Sequence, residues 1–367
     1  MQPDTTLHIA FMVLLRAGLW EKDPDDLSLF PLSDKDWNSL FLMARWQTVT
    51  GIVYRGVCRL PDNLMPPHTI LLKWTVATDR VERRNRQVNK VLTALNGIWE
   101  QKKAPILQKG QGVALFYEQP LLRESGDIDL YFQKKQWTKQ AVSTICNMGI
   151  ALKKRPDGSI FFQWKGVDIE IHTRLTDLYN PFVQSYLKKL ETKENRMTGY
   201  WLDRNQHIQL PSPMMNLLII NSHIMKHALG RGIGLRQLCD MARACYCLHG
   251  QVSASTMEQV AHRTGMKKWN RLIHAFMTEY LGLPDECLPY PEKKSDARSL
   301  WNIVWKGGNF GMYPDGMHIA KKDRRTGKLQ TLRVFYQNML FSLRYAPKEL
   351  IGLIITLISG QIHSLRK

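Results

Sequence analysis

Acidic side chains are scarce in this sequence. Thirty-two Asp and Glu stand against 51 Lys and Arg over 367 residues, a formal net charge of +19 with histidine neutral. A positive field of that size attracts polyanions: nucleic acid, nucleotide phosphates and anionic membrane all fit, and plain solubility charge fits as well. Cysteine is also sparse. The six cysteines form no CxxC pair and no disulfide-like spacing. Cys245 and Cys247 lie two apart, with no second Cys/His pair at zinc spacing after them. The expectation is free thiols in a reducing cytosol. Long apolar runs are missing too. A membrane span needs about 18 apolar residues, and the best stretch, 350–358, is half that length. With Arg344, Lys348, Arg366 and Lys367 around it, that stretch suits a core helix or a membrane surface. Met1-Gln2-Pro3-Asp4 carries no basic leader, so a cytoplasmic location is expected. Internal repeats and low-complexity tracts are absent. With 44% apolar and 23% charged residues, disorder is not expected.

The first hundred residues read as helices. Leu7, Ala10, Phe11, Leu14 and Leu15 recur at helical spacing. Ser33 followed by Asp36 is a capping signal, with Asp in place of the usual Glu, for a helix carrying Trp37, Leu40, Phe41 and Ala44. A long helix is predicted over 69–100, with Ile70, Trp74, Ala77, Val81, Val88, Val91, Leu92 and Leu95 inward. Its outer face bears Arg80, Arg83, Arg84, Arg86 and Lys90, and a charge run of this kind is usually a solvated face. Near residue 104 the pattern changes. Strands are predicted at 105–107, 128–132, 160–164 and 167–171, with short helices over 113–117 and 136–148. Lys165-Gly166 marks a hairpin turn. From Pro213 helices return, over 214–229, 235–248, 256–264 and 269–281. A glycine-rich loop follows at 307–311, then a basic run at 321–325 and a helical tail from about residue 329. The fold class is α+β: a small mixed sheet flanked by helical regions, divided as 1–103, 104–205 and 206–367.

The segment Gly126-Asp127-Ile128-Asp129-Leu130-Tyr131-Phe132 carries the chemistry. Side chains alternate along a strand, so Ile128, Leu130 and Phe132 turn to the core, and Asp127 and Asp129 project together from the other face. Two adjacent carboxylates repel unless a cation lies between them, and hard oxygen donors at this spacing suit Mg²⁺. Val167-Asp168-Ile169-Glu170-Ile171-His172 repeats the alternation, leaving Asp168, Glu170 and His172 outward to complete a site. Such carboxylates can hold two metal ions, Mg²⁺ or Mn²⁺ in its place, which clamp the attacking and leaving oxygens of a phosphoryl displacement. Taken alone, a D-x-D strand is more often a solvated polar face. Upstream, Lys109-Gly110-Gln111-Gly112 lies between a strand and a helix, where glycine lets a phosphate approach the main chain and Lys109 adds a charge. A plain strand-to-helix turn explains the same residues, and no Walker motif is present.

Lys109-Gly110 before a short helix, then Arg123-Glu124-Ser125-Gly126-Asp127-Ile128-Asp129-Leu130, then Ile169-Glu170-Ile171-His172, resembles the bacterial uncharacterised nucleotidyltransferase family. That family falls within the polymerase-β-like nucleotidyltransferase superfamily. The likeness extends over most of the chain, through Trp37 to Gly51, Trp74, His223 with His227, Leu235 to Asp240, and Gly308-Asn309-Phe310-Gly311. The resemblance implies that Asp127 and Asp129 are the metal-binding pair, that Glu170 is the third carboxylate with Asp168 its competitor, and that Gly110 is the turn glycine. The small residue that usually follows, often Ser, is Gln111 here.

The implied activity is Mg-dependent transfer of a nucleoside monophosphate from an NTP to an acceptor hydroxyl. Asp127, Asp129 and Glu170 would be catalytic, and Lys109, Gly110, Gln111, Arg123 and Arg236 would contact the nucleotide. The net charge favours RNA, such as a tRNA end, over a sugar or antibiotic acceptor. The alternative is a catalytically inactive protein of the same fold that binds nucleotide or nucleic acid, for which Gln111 is the kind of departure expected. His223 and His227 share a helix face but lack the HExxH glutamate of a zinc site. Arg236 and Asp240 have the spacing of a surface i,i+4 pair, or Arg236 lies over the metal site.

Overall fold

The structure, a computed structural model, describes residues 6–99, 103–155, 157–176, 178–193, 197–200, 207–230, 232–291, 296–307 and 339–355. The glycine-rich loop from 308 on, the basic run 321–325, the expected tail before 339, and Ile358, Arg366 and Lys367 lie outside these residues.

Four helices open the chain: α1 (Thr6–Trp20), α2 (Asp34–Trp46), α3 (Thr50–Val57) and α4 (His68–Asn96). Ser33 caps α2 as its spacing implied. Its Oγ accepts the Asp36 N–H at 3.2 Å and donates to the Asp36 carboxylate at 2.7 Å. α1 and α3 cross at glycines. A Cβ on Gly18 would fall 1.8 Å from the Ile52 carbonyl oxygen, and one on Gly56 2.0 Å from that of Leu14. The two backbones therefore touch where a larger residue has no room.

Next come β1 (Ile106–Gln108), α5 (Gly110–Ala114), β2 (Ile128–Tyr131), α6 (Lys135–Asn147), β3 (Lys153–Lys154), β4 (Ile160–Trp164), β5 (Val167–His172), α7 (Pro181–Lys193), β6 (Met197–Tyr200) and β7 (His207–Leu210). The seven strands form one sheet in the order β3-β4-β5-β2-β1-β7-β6. The β2–β5 and β1–β7 pairs are parallel and the rest antiparallel, so the sheet is mixed. Lys165 and Gly166 turn the β4–β5 hairpin with φ of 48° and 73°, the left-handed values a tight two-residue turn needs. Helix α7 was not anticipated, although Val183 and Leu187, four apart, are both buried.

The alternation read from the sequence holds. Ile128, Leu130, Phe132, Val167, Ile169 and Ile171 pack on one face of the sheet against Val88, Val91, Leu92 and Leu95 of α4 and Ile145 of α6. That leaves Asp129, Tyr131, Glu170 and His172 on the opposite face. The chain continues as α8 (Pro213–Gly230), α9 (Leu235–Cys247), α10 (Ala254–Thr264), α11 (Lys267–Glu279) and α12 (Arg298–Gly307), then α13 (339–345) and α14 (347–355). N-terminal and C-terminal helices share one core, in which Phe11 and Trp37 join Trp269, Phe276 and Trp301. The architecture is α+β. No described helix is long and apolar enough to cross a membrane.

Candidate active site

Strand register creates the site. β2 and β5 run parallel with Asp129 beside Glu170 and Tyr131 beside His172. Strand spacing of about 4.8 Å then sets two carboxylates and an imidazole side by side. Ligand-capable atoms of Asp129, Glu170 and His172 all lie within 4.8 Å of one another. His172 Nε2 is 2.6 Å from Asp129 Oδ1. Asp127, one residue before β2, joins the group electrostatically. The charge of Asp129, then burial, pushes its carboxyl up to about 6, with Lys109 opposing. Burial would raise Asp129 too, but Lys109 and His172 outweigh it and hold that carboxyl well below the usual range.

Two of these carboxylates are compensated by protein partners. Lys109 Nζ lies 3.2 Å from Asp129 Oδ2. Glu170 takes Arg155 on one oxygen and the Ser159 hydroxyl, at 2.5 Å, on the other. Asp168 does not join them. It lies two residues nearer the hairpin turn, where Gln163 on the paired strand donates to it at 3.2 Å. As a metal ligand Asp168 is therefore corrected: the same strand face does not mean the same place along the strand.

α4 positions both pieces of backbone that frame the acids. Asn85 Nδ2 donates to the carbonyls of Leu121, at 2.6 Å, and Arg123, at 2.9 Å, fixing the segment that leads into β2. Gln111 Nε2 donates to Asn89 Oδ1 at 2.6 Å. The Gln111 side chain is thus buried against α4 and does not face the acids, which corrects its assignment as a nucleotide contact through that side chain. α5 begins at Gly110, three residues before the expected start, because the N–H groups of Gly112 and Val113 already bond the Lys109 carbonyl. Gly110 has φ 44°, and a Cβ there would lie 3.3 Å from the Asp127 carbonyl oxygen. Glycine thus lets the turn pass close to the D-x-D strand.

The two arginines behave differently from each other. Arg123 is buried and makes a bidentate pair with Asp240, at 3.0 and 2.5 Å, and Tyr117 donates to the same carboxylate at 2.8 Å. Arg123 spends its Nε and Nη2 on a carboxylate inside the protein, which makes it a structural cation rather than a free phosphate contact. Asp240 is therefore not the surface partner of Arg236. Arg236 instead donates to the Glu124 carbonyl at 2.9 Å. Its Nε, like Ser125 Oγ, is buried with no hydrogen-bond partner among the described residues.

α8 contributes residues that sequence reasoning undervalued. His223 and His227 rings meet edge to face with centroids 4.4 Å apart. Burial, then Lys109 and His227, pushes His223 well below the usual imidazole range, and Asp129 pulls the other way. Burial and Lys109 bring Lys226 down to about 8, with Asp157 and Glu170 opposing. Helix spacing of three residues between His223 and Lys226 was the available signal. Arg155 and Ser159 carried no such signal: they flank the turn at Asp157 and Gly158 and reach Glu170 through the β4–β5 pairing.

The residues fit a divalent cation. Three carboxylates supply hard oxygen donors and His172 a borderline nitrogen. The raised Asp127 reflects a like-charge conflict that a cation relieves. The buried, unpartnered Ser125 Oγ lies two residues before Asp127, while Arg236, whose Nε is also unpartnered, feels the Asp127 charge.

A mixed sheet with a D-x-D strand, a neighbouring glutamate strand and a glycine turn beside them is the arrangement that the resemblance to the nucleotidyltransferases implied. The profile of the uncharacterised nucleotidyltransferase family matches residues 33–282, and the chain belongs to that family. No curated protein matches the chain. Among solved structures, an antigenic nucleotidyltransferase-like protein from Paracoccidioides brasiliensis is similar at 12% identity and a TM-score of 0.30. That match covers 56% of this chain and 94% of the other. A likeness of that size carries no argument about function.

Proposed function

We propose that the chain is a Mg-dependent nucleotidyltransferase that moves a nucleoside monophosphate from an NTP to an acceptor hydroxyl. One observation carries this reading: the in-register pairing of Asp129 with Glu170, with Asp127 and the Gly110 turn beside them. Asp127, Asp129 and Glu170 would hold the metal, and His172 orients Asp129. When bound, the ion supplies positive charge at the triphosphate oxygens. The acceptor oxygen forms a bond to the α-phosphorus while the bond to the bridging oxygen breaks and pyrophosphate leaves. The hydroxyl proton passes to a carboxylate of the group, Glu170 in this assignment, which requires Arg155 or Ser159 to give way. Lys109, the Gly110 turn and Arg236 are the groups assigned to the phosphates, Lys109 by turning from Asp129. The net charge of +19 supports RNA, such as a tRNA end, as acceptor, with a sugar or antibiotic hydroxyl the competing class.

The second reading is a binding protein of the same fold without chemistry. Lys109 on Asp129 and Arg155 on Glu170 favour it, since both cations stand where a metal would. Incubation of labelled NTPs and Mg²⁺ with RNA, sugars and protein extract separates the two. Label transfer with pyrophosphate release supports the enzyme. Tight NTP binding with no pyrophosphate over the whole acceptor panel rejects it in favour of the binding protein.

A further inference from the structure

The last described helices present two unlike faces. Inward, the Glu349 carboxylate accepts the N–H groups of Tyr179 at 2.6 Å and Asn180 at 3.2 Å, and Asn180 Nδ2 donates to the Lys348 carbonyl at 3.2 Å. Gly352 is packed so closely that a Cβ would lie 2.6 Å from the Tyr179 carbonyl carbon. These contacts fix α14 against the chain just before α7.

Outward, the pair of helices is apolar. Leu340 is 76% exposed, Leu343 51%, Ile351 59%, Ile354 38% and Ile355 55%. Leu340 and Leu343, three apart, share a face of α13, and Ile351, Ile354 and Ile355 share a face of α14. Phe182, 85% exposed, stands two residues after Asn180 and so emerges beside α14. Large apolar side chains gathered in this way mark a surface that is covered in use.

The border of this face is basic. Arg344 and Lys348 are exposed on the same helices. The Lys348 stem lies over Gly265, at the turn between α10 and α11, where Arg263 and Lys268 are also exposed. The only acid between residues 339 and 355 is Glu349, which is turned inward. Leucine and isoleucine outward with a cationic border is the pattern of a helix that lies in a membrane interface. A second copy of the chain would bring the same cations against themselves, which disfavours self-association.

We propose that the outer face of α13 and α14, with Phe182, docks on the surface of an anionic phospholipid bilayer. The apolar side chains enter the headgroup boundary, and Arg344, Lys348, Arg263 and Lys268 meet lipid phosphates. Each basic residue held near such a surface strengthens adsorption roughly fivefold.

The test is flotation of the full chain with vesicles of mixed phosphatidylglycerol and phosphatidylcholine at about 0.15 M salt, where charges beyond about 8 Å are screened. The protein should float with these vesicles and not with pure phosphatidylcholine. An Ile351→Ser/Ile355→Ser variant and an Arg344→Glu/Lys348→Glu variant should each bind at least roughly tenfold more weakly, with unchanged thermal melting. Three results overturn the proposal. One is no flotation of the parent chain. Another is flotation undiminished by the isoleucine changes, which means adsorption by net charge alone. The last is a concentration-dependent dimer in sedimentation that the isoleucine changes abolish, which makes a second copy the occupant.

Discussion

Lys109 Nζ stands 3.2 Å from Asp129 Oδ2, inside the acidic group, where the sequence placed it on a phosphate. It is a built-in counter-ion for the carboxylate that a metal would bind. Lys109→Met should therefore tighten Mn²⁺ binding in the absence of nucleotide and weaken NTP binding in its presence, each by roughly tenfold. Calorimetry with Mn²⁺ alone, and then with a non-hydrolysable NTP, reads both numbers. If neither changes, Lys109 serves neither purpose.

The buried Arg123–Asp240 pair gives a prediction of the opposite kind. Removing one partner of a buried pair leaves an uncompensated charge and costs about 3–5 kcal/mol. Asp240→Ala and Arg123→Ala should each lower the unfolding free energy by that amount, read from the urea midpoint and slope, because both side chains are almost fully enclosed. A phosphate-contacting arginine would instead give Arg123→Ala normal stability and a raised KM.

The legible part of this protein was the part governed by strand periodicity. Ile128, Leu130, Ile169 and Ile171 alternate with Asp129 and Glu170 at a period of two, and the sheet puts them on the faces so implied. Position along the strand was not legible. Asp168 shares a face with Glu170, yet the hairpin register hands it to Gln163. Tertiary partners were also hidden. Gln111 looked like a departure from a phosphate-binding turn, and its reason is Asn89 on α4, 22 residues earlier. Arg155 and Ser159 reach Glu170 from a turn before β4 that the sequence reading did not mark. Arg236 and Asp240 had the spacing of a helix pair, but the long-range partner Arg123 won the carboxylate.

The crossing of α1 and α3 is a stability determinant remote from the acids. At Gly18 and Gly56 an added methyl would lie about 2 Å from a backbone carbonyl oxygen, which no side-chain adjustment relieves. Gly18→Ala and Gly56→Ala should each destabilise the chain by about 3 kcal/mol, and the pair should fail to add because they act on one contact. Urea denaturation of the two single variants and the double variant measures this. A loss under about 0.5 kcal/mol, the range of ordinary surface changes, contradicts the close crossing.

His274 gives the fold an acid-side weakness. It is buried beside the Tyr290 ring, 5.1 Å between centroids, and burial pushes its imidazole from 6.5 down to about 4. The unfolded chain therefore binds a proton below about 6.5 that the folded chain refuses until about 4. Stability from this group is complete above 6.5 and falls as pH drops through that window, by about 3 kcal/mol in all. Denaturation from pH 7 to pH 4 should show a steeper loss in the parent chain than in His274→Gln. Parallel curves would mean that His274 is protonated as readily folded as unfolded.

The most direct measurement is calorimetric titration of the parent chain and an Asp127→Asn/Asp129→Asn variant with a non-hydrolysable NTP in Mg²⁺. Both substitutions keep side-chain size, and circular dichroism verifies the fold. The parent should bind, and the variant should bind at least roughly a hundredfold more weakly, because the donors that hold the ion are gone. Equal affinity in the two proteins would show that the nucleotide and its metal do not sit on the β2 carboxylates.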